Sequence, residues 1–121
     1  MSSFSYKDNN SFSKRSEEAT RVINKYPGKI PIICEKQIKF FDGKPVQEKR
    51  IKYLVASTHT IGEFIFFLKS KIGIKKEQSI FLFIDNNMIP RSSETLGELY
   101  NKYKDDDKFL YIKYCYENTF G

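Results

Sequence analysis

Between Thr60 and Gly73 the apolar residues Ile61, Phe64, Ile65, Leu68 and Ile72 recur at i, i+3, i+4, i+7 and i+11, a spacing that gathers them on one stripe of an α-helix. Thr60 and Glu63 stand at capping-box spacing in front of that stripe, and Gly73 is placed to close it. Around this helix lie runs too short and too rich in β-branched and aromatic residues to be helices themselves: Ile30 to Glu35, Ile51 to Ala56, Ile80 to Ile84 and Phe109 to Cys115. A one-striped helix among four such runs has to lay its stripe on a sheet. The predicted architecture is therefore α+β, with one long helix on one face of a four-stranded sheet.

The remaining elements follow from local signals. Ala19, Val22, Ile23 and Tyr26 fall at helical spacing within Ser13 to Tyr26, a surface helix that Pro27-Gly28 ends. Pro31 argues that the first strand begins there or lies at an edge. Asp42-Gly43-Lys44-Pro45 reads as a turn, which makes the first two strands a hairpin. Ile80 to Ile84 is apolar at every position, the pattern of a strand buried on both faces, and Asp85-Asn86-Asn87 turns the chain after it. Thr95 and Glu98 cap a short helix carrying Leu96, Leu99, Tyr100 and Tyr103. Asp105-Asp106-Asp107 reads as a solvated acidic turn before the last strand. Ahead of these elements Phe4, Tyr6 and Phe12 interrupt a polar segment and predict a loosely docked arm.

The chain has 121 residues, 40% of them hydrophobic, which suits a single domain able to bury a core without a disulfide or metal staple. No apolar run is longer than the five residues of Ile80 to Ile84, far short of the roughly 20 residues of a membrane span, and no signal-peptide pattern opens the sequence. Two cysteines, Cys34 and Cys115, and a single histidine, His59, cannot supply a four-ligand zinc site. A reduced, cytosolic setting is expected, with no metal and no cofactor. The two thiols read as small packed hydrophobes, His59 as a partly exposed loop residue, and Glu17 and Glu18 as solvated surface. Nothing here assembles a nucleophile, a base and an orienting group, so the chain does not read as an enzyme. The formal charge of +6 would suit nucleic acid or anionic lipid. Residues 1–60 hold 12 Lys and Arg against 6 Asp and Glu, whereas residues 61–121 hold 9 of each. No ordered nucleic-acid motif accompanies that basic half, which argues against nucleic acid as a partner.

Several segments in one order carry a further signal: Lys25-Tyr26-Pro27, Ile30-Pro31-Ile32-Ile33-Cys34-Glu35-Lys36, Lys52-Tyr53-Leu54-Val55, Phe81-Leu82-Phe83, Phe109-Leu110-Tyr111-Ile112 and Glu117-Asn118-Thr119-Phe120-Gly121. With them, the chain resembles the autophagy-related ubiquitin-like modifier family, which includes the microtubule-associated light chain and GABA receptor-associated protein branches. The resemblance spans nearly the whole sequence. It implies a ubiquitin-like β-grasp fold with a four-stranded mixed sheet, a central helix and two added N-terminal helices. Residues 1–26 would be the N-terminal arm and helices, 27–115 the ubiquitin-like core and 116–121 a flexible tail. Ala56 stands where the family has proline, and His59 where it has an aliphatic residue.

For function, the resemblance implies a modifier conjugated through Gly121 to phosphatidylethanolamine, with Phe120 as the handle for tail recognition. Activating and conjugating enzymes and a delipidating cysteine protease would be its partners. The protein would be cytoplasmic, and on autophagosomal or other vesicle membranes when lipidated. Receptor and adaptor peptides with an aromatic-x-x-aliphatic motif would add to the strand Lys52 to Ala56. Glu18, Val22, Pro31, Ile33, Lys52, Leu54 and Phe109 would line a first pocket for the aromatic residue, and Tyr53, Val55, Phe64 and Phe67 a second for the aliphatic one. Lys29, Arg50 and Lys52 would read acidic or phosphorylated ligand residues. The rival expectation is an unconjugated protein-interaction or cytoskeletal adaptor of the same fold.

Overall fold

A computed structural model describes residues 5–36, 40–41, 44–45, 50–75, 77–85 and 87–117. Phe120 and Gly121, Asp42-Gly43 of the predicted turn, Asn86 and Phe4 lie outside the described residues. The elements run α1 (Tyr6–Asn9), α2 (Phe12–Lys25), β1 (Lys29–Lys36), β2 (Phe40–Phe41), β3 (Lys44–Pro45), β4 (Arg50–Ala56), α3 (Ile61–Ile72), β5 (Ser79–Ile84), α4 (Leu96–Tyr103) and β6 (Leu110–Glu117). The main sheet has the order β4-β1-β6-β5, with β1 and β6 parallel and the outer pairs antiparallel; β2 and β3 pair by themselves.

The central helix forms as its sequence dictates. Thr60 accepts from the Glu63 amide while the Glu63 carboxylate accepts from the Thr60 N–H, and Gly73 closes the helix at φ 80°, a conformation open to glycine without strain. Its stripe of Ile61, Phe64 and Leu68 packs on Ile30, Ile32, Cys34, Ile51, Val55, Ile80, Leu82, Ile84, Leu110, Ile112 and Tyr114, the inward residues of all four strands. Alternation sends the opposite residues to the other face, where α1 and α2 cover part of the sheet through Tyr6, Ala19, Ile33 and Phe109. α4 closes the far end of the core with Leu96 and Leu99, and its second residue approaches so near that a Cβ on Gly97 would lie 3.1 Å from the Ser57 carbonyl oxygen.

Several expectations change. β1 is an inner strand despite Pro31, because its pairing with β6 begins only at Ile32 and the proline sits where one neighbour suffices. β5 is an edge strand, buried at Ile80, Leu82 and Ile84 but 38% exposed at Phe81, since α2 does not extend over it. The last strand continues two residues beyond Cys115, with Tyr116 and Glu117 paired to Ile80 and Ser79, so the first two residues expected in the tail are sheet. The arm is not loosely docked: Tyr6 is 3% exposed, stacks edge-on to Phe109 at 5.6 Å and donates its main-chain N–H to Glu35 at 2.7 Å.

The acidic turn is the largest departure. Asp107 is fully buried, accepting from the Phe109 N–H at 2.8 Å and the Tyr111 hydroxyl at 2.5 Å, with Arg15 Nε 3.2 Å away. Asp105 accepts from Lys7 nearer the surface. Asp107 thus ties α2 to the start of β6, while Glu35 holds the Tyr6 amide and lies 3.3 Å from Arg50. Both N-terminal helices are fastened to the sheet by charge as much as by apolar contact.

Candidate functional site: an open strand edge between two apolar faces

β4 lies at one edge of the sheet, and among the described residues no strand pairs with its outer side. Its N–H and C=O groups on that side are therefore available to an added strand. Alternation along β4 puts Lys52 and Leu54 on the α2 face, and Ile51, Tyr53 and Val55 on the α3 face. The edge separates two different apolar environments.

On the α2 face, Glu18, Val22, Pro31, Lys52, Leu54, Phe109 and Tyr53 line a cleft of about 140 Å³. A buried cavity of roughly 150 Å³ is known to take up benzene, so this one matches a single aromatic ring. Ile33 has no exposed surface and supports the cleft from beneath, in the cluster of Tyr6, Ala19 and Phe109. Two larger hollows, of about 570 and 590 Å³, run along the solvent side of α2 between polar residues such as Ser13, Glu17 and Arg21 and offer no sheet edge.

Charge organises the mouth of the cleft. The Tyr6 hydroxyl donates to one oxygen of Glu18, and Lys52 Nζ reaches the other at 2.8 Å while standing 4.8 Å from the centre of the Tyr6 ring. Burial works to raise the Glu18 pKa, but the hydrogen bonds from Lys52 and Tyr6 outweigh it and hold the carboxyl below its ordinary value. Burial, followed by the bond to Glu18, pushes the Tyr6 phenol upward. The sequence places Tyr6 in a loosely docked arm and assigns it no polar role. An aromatic residue with a hydroxyl, isolated in a polar arm, was the available signal for this polar role.

On the α3 face the four residues of the second set divide. Phe64 is fully buried and Val55 nearly so, both within the main core, whereas Phe67 is 47% exposed. Tyr53 packs edge-on to Phe64 at 5.3 Å, and Phe67 edge-on to His59 at 5.7 Å. The accessible part of this face therefore consists of Tyr53, Phe67 and the His59 ring, whose Nδ1 stands 3.7 Å from Glu63. The Tyr53 hydroxyl is buried with no hydrogen-bond partner among the described residues.

The three basic residues do not converge. Lys29 pairs with Ala56, and Arg50 with Glu35, at opposite ends of the β1/β4 ladder, roughly 20 Å apart at about 3.3 Å per residue. Arg50 and Lys52 already stand beside Glu35 and Glu18, while Lys29 is exposed. Elsewhere, burial pushes the Cys34 thiol up, as expected for a packed hydrophobe. Among the described residues no group of three or more His, Cys, Asp and Glu side chains is placed to hold a metal ion, and no helix is long and apolar enough to cross a membrane.

These shifts fix a pH profile. Glu18 and Asp105 titrate lower in the folded chain than in the unfolded one, where carboxyls ionise near 4, so their contribution is complete above about pH 5 and is lost as pH falls through the folded values. Tyr6, Tyr111 and Cys34 titrate higher when folded; their contribution is complete below about pH 8 and drains away as pH rises past the unfolded values of about 8.5 to 10. Urea midpoints measured across pH should be level from about pH 5 to 8 and fall on both sides. A midpoint unchanged at pH 3 would contradict the assignment of the carboxylates.

Comparison with known proteins identifies the arrangement. Residues 14–121 match the family model described as autophagy protein Atg8, ubiquitin like. Autophagy-related protein 8 of Mycosarcoma maydis is 40% identical over 116 residues, covering 96% of this chain and 95% of that one. Autophagy-related protein 8e of Arabidopsis thaliana is 43% identical, covering 96% of this chain and 92% of its own. The crystal structure of Trypanosoma brucei ATG8 superposes with a TM-score of 0.80 at 35% identity, covering 99% of this chain and all of that one. Plasmodium falciparum Atg8, solved in complex with a Plasmodium falciparum Atg3 peptide, gives 0.75 at 34% identity over 92% of this chain and 94% of that one. With a β-grasp sheet, a capped central helix, two N-terminal helices and full-length relatives at this level of identity, the chain belongs to the Atg8 family of ubiquitin-like autophagy proteins.

Proposed function

We propose that the protein is a modifier joined through the carboxylate of Gly121 to phosphatidylethanolamine, and that on autophagosomal membranes it recruits receptors and adaptors by their short linear motifs. The observation that carries this reading is the open β4 edge, with a one-ring cleft on its α2 face and Tyr53 and Phe67 on its α3 face. An extended peptide added to that edge turns successive side chains to opposite faces, so residues an odd number of positions apart reach different faces. An aromatic-x-x-aliphatic motif has this spacing. Its aromatic residue enters the cleft between Val22, Pro31, Leu54 and Phe109, and its aliphatic residue meets Tyr53 and Phe67.

The chemistry of conjugation belongs to partners: an activating enzyme, a conjugating enzyme and a delipidating cysteine protease. The Atg3 peptide bound by the Plasmodium relative supports a conjugating-enzyme partner. A glycine terminus suits the role because it has no side chain to obstruct a narrow enzyme channel, and Phe120 is the handle by which the enzymes grip the tail. Between conjugation events the protein is cytoplasmic.

Reconstitution with the activating and conjugating enzymes and phosphatidylethanolamine liposomes tests this. The full chain should become liposome-bound in an ATP-dependent reaction, and deletion of Gly121 should abolish the product while leaving the urea midpoint unchanged. Attachment that survives the deletion, or a full chain that never attaches, would overturn the proposal.

A further inference from the structure

The strand that leads to Gly121 ends at the same side of the sheet as the C-terminus of α3. β6 finishes where β5 starts, Glu117 pairing with Ser79, and the segment from Gly73 to Gln78 joins α3 to that point. Lys36, at the end of the parallel neighbour β1, pairs with Tyr114, and its ammonium rests 4.8 Å from the centre of the Tyr116 ring. Lys69 and Lys71 occupy the last turn of α3, and Lys75 follows in a turn closed by hydrogen bonds between Lys75 and Gln78.

None of Lys36, Lys69, Lys71 and Lys75 forms an ion pair with a carboxylate among the described residues, unlike Lys7, Arg15, Arg50 and Lys52. Glu77 is the exposed carboxylate in the same connection, and the buried Glu35 nearby is already engaged by Tyr6 and Arg50. The opposite end is mixed: around the start of β6, Lys7 and Arg15 are matched by Asp105 and Asp107, whereas Lys25, Lys102 and Lys104 also have no ion-pair partner among the described residues, so what sets the α3 end apart is its nearness to the chain's last strand residue.

We propose that this basic end is a contact surface for anionic lipid, engaged when the C-terminus is anchored in a bilayer. The inference rests on the conjugation reading above. Gly121 lies four residues beyond Glu117, a reach of at most about 14 Å. A lipid joined to Gly121 therefore cannot lie farther than this from the end of β6, less than two Debye lengths of about 8 Å, so attraction between the lysines at this end and phosphatidylserine or phosphoinositide headgroups is only partly screened. The surface sets how the anchored domain stands: the α3 C-terminus faces the bilayer, and the β4 edge runs away from it, open to peptides.

The test bypasses the conjugation enzymes. The variant Gly121→Cys, in a Cys115→Ser background because Cys115 is half-exposed, is coupled to vesicles carrying a maleimide lipid, with either neutral lipid or about 30% phosphatidylserine. Coupling should be about tenfold faster on the anionic vesicles at low salt, and the advantage should vanish near 1 M salt, where the Debye length is about 3 Å. Lys69→Glu, Lys71→Glu and Lys75→Glu together should remove it. The same number of reversals at the opposite end, Lys25→Glu, Lys102→Glu and Lys104→Glu, should retain most of it. Equal loss in both triple variants would show an effect of net charge and overturn the proposal. So would tight, lysine-dependent binding of the untethered protein to a short RNA, which would make the end a reader of polyanions in general. A chain that couples chemically as expected yet is refused by the enzymes overturns the conjugation reading alone.

Discussion

Asp107→Ala is expected to destabilise the protein by about 3 to 5 kcal/mol, the range found when one member of a buried ion pair is removed. The carboxylate is fully buried and accepts from the Phe109 N–H and the Tyr111 hydroxyl, so its loss orphans two donors and leaves the 11% exposed Arg15 side chain without its counter-charge. Asp105→Ala, two residues earlier, should cost about 1 to 2 kcal/mol, because it loses only a half-exposed pair with Lys7 and the hydrogen bond from the Asp107 N–H. Urea denaturation of the two variants decides the matter, and a difference of under about 1 kcal/mol between them would remove Asp107 from its place as the fastening of α2. The melting temperature of Asp107→Ala should fall by about 10 °C or more.

Leu54→Ala should weaken an aromatic-x-x-aliphatic peptide by at least about tenfold, or 1.4 kcal/mol, while leaving the fold intact. Leu54 is partly exposed on the wall of the cleft and contributes little to the core. Tyr53 is the poorer choice for substitution, since its ring packs on Phe64 and truncation would damage the sheet as well as the site. Calorimetry with two peptides, one with its aromatic residue and one with alanine there, isolates the effect. The Leu54→Ala penalty should shrink sharply against the alanine peptide, as a double-mutant cycle requires of two side chains in contact. Equal penalties against both would place the aromatic residue somewhere other than this cleft.

What the sequence made legible was what local physics controls. The central helix and both of its caps could be read from Thr60, Glu63, the Ile61 stripe and Gly73, because capping and amphipathic spacing act within a few residues. Strand positions within the sheet were less accessible. Pro31 and the all-apolar Ile80 to Ile84 run pointed to the wrong neighbours, since whether a strand is central or at an edge depends on parallel pairing between segments almost 80 residues apart. Asp107 was hidden for the same reason: three consecutive aspartates look alike until Arg15 and Tyr111, distant in sequence or on another element, select one of them for burial. For the candidate site, the resemblance named residues that the fold gathers around one strand edge. It did not distinguish those that form a wall, such as Leu54 and Val22, from those that support it, such as Ile33 and Phe64. Nor did composition reveal that Arg50 and Lys52 already have internal carboxylate partners.

The position of β6 has a mechanical consequence. It is the last strand in sequence yet an inner one in space, paired to β1 from Leu110 to Tyr114 and to β5 from Ile112 to Glu117. A force applied through the C-terminal end pulls along this strand, not away from an edge. The load passes first to the antiparallel ladder with β5, which alone holds Cys115 to Glu117, and from Tyr114 inward to the ladders on both flanks, whose hydrogen bonds run across the strand, squarely to β5 and at a slant to β1. Unzipping one bond at a time, the weak mode for a terminal edge strand, is not available to it. A domain hung from its last residue in this way is held by the part of its sheet most resistant to tearing.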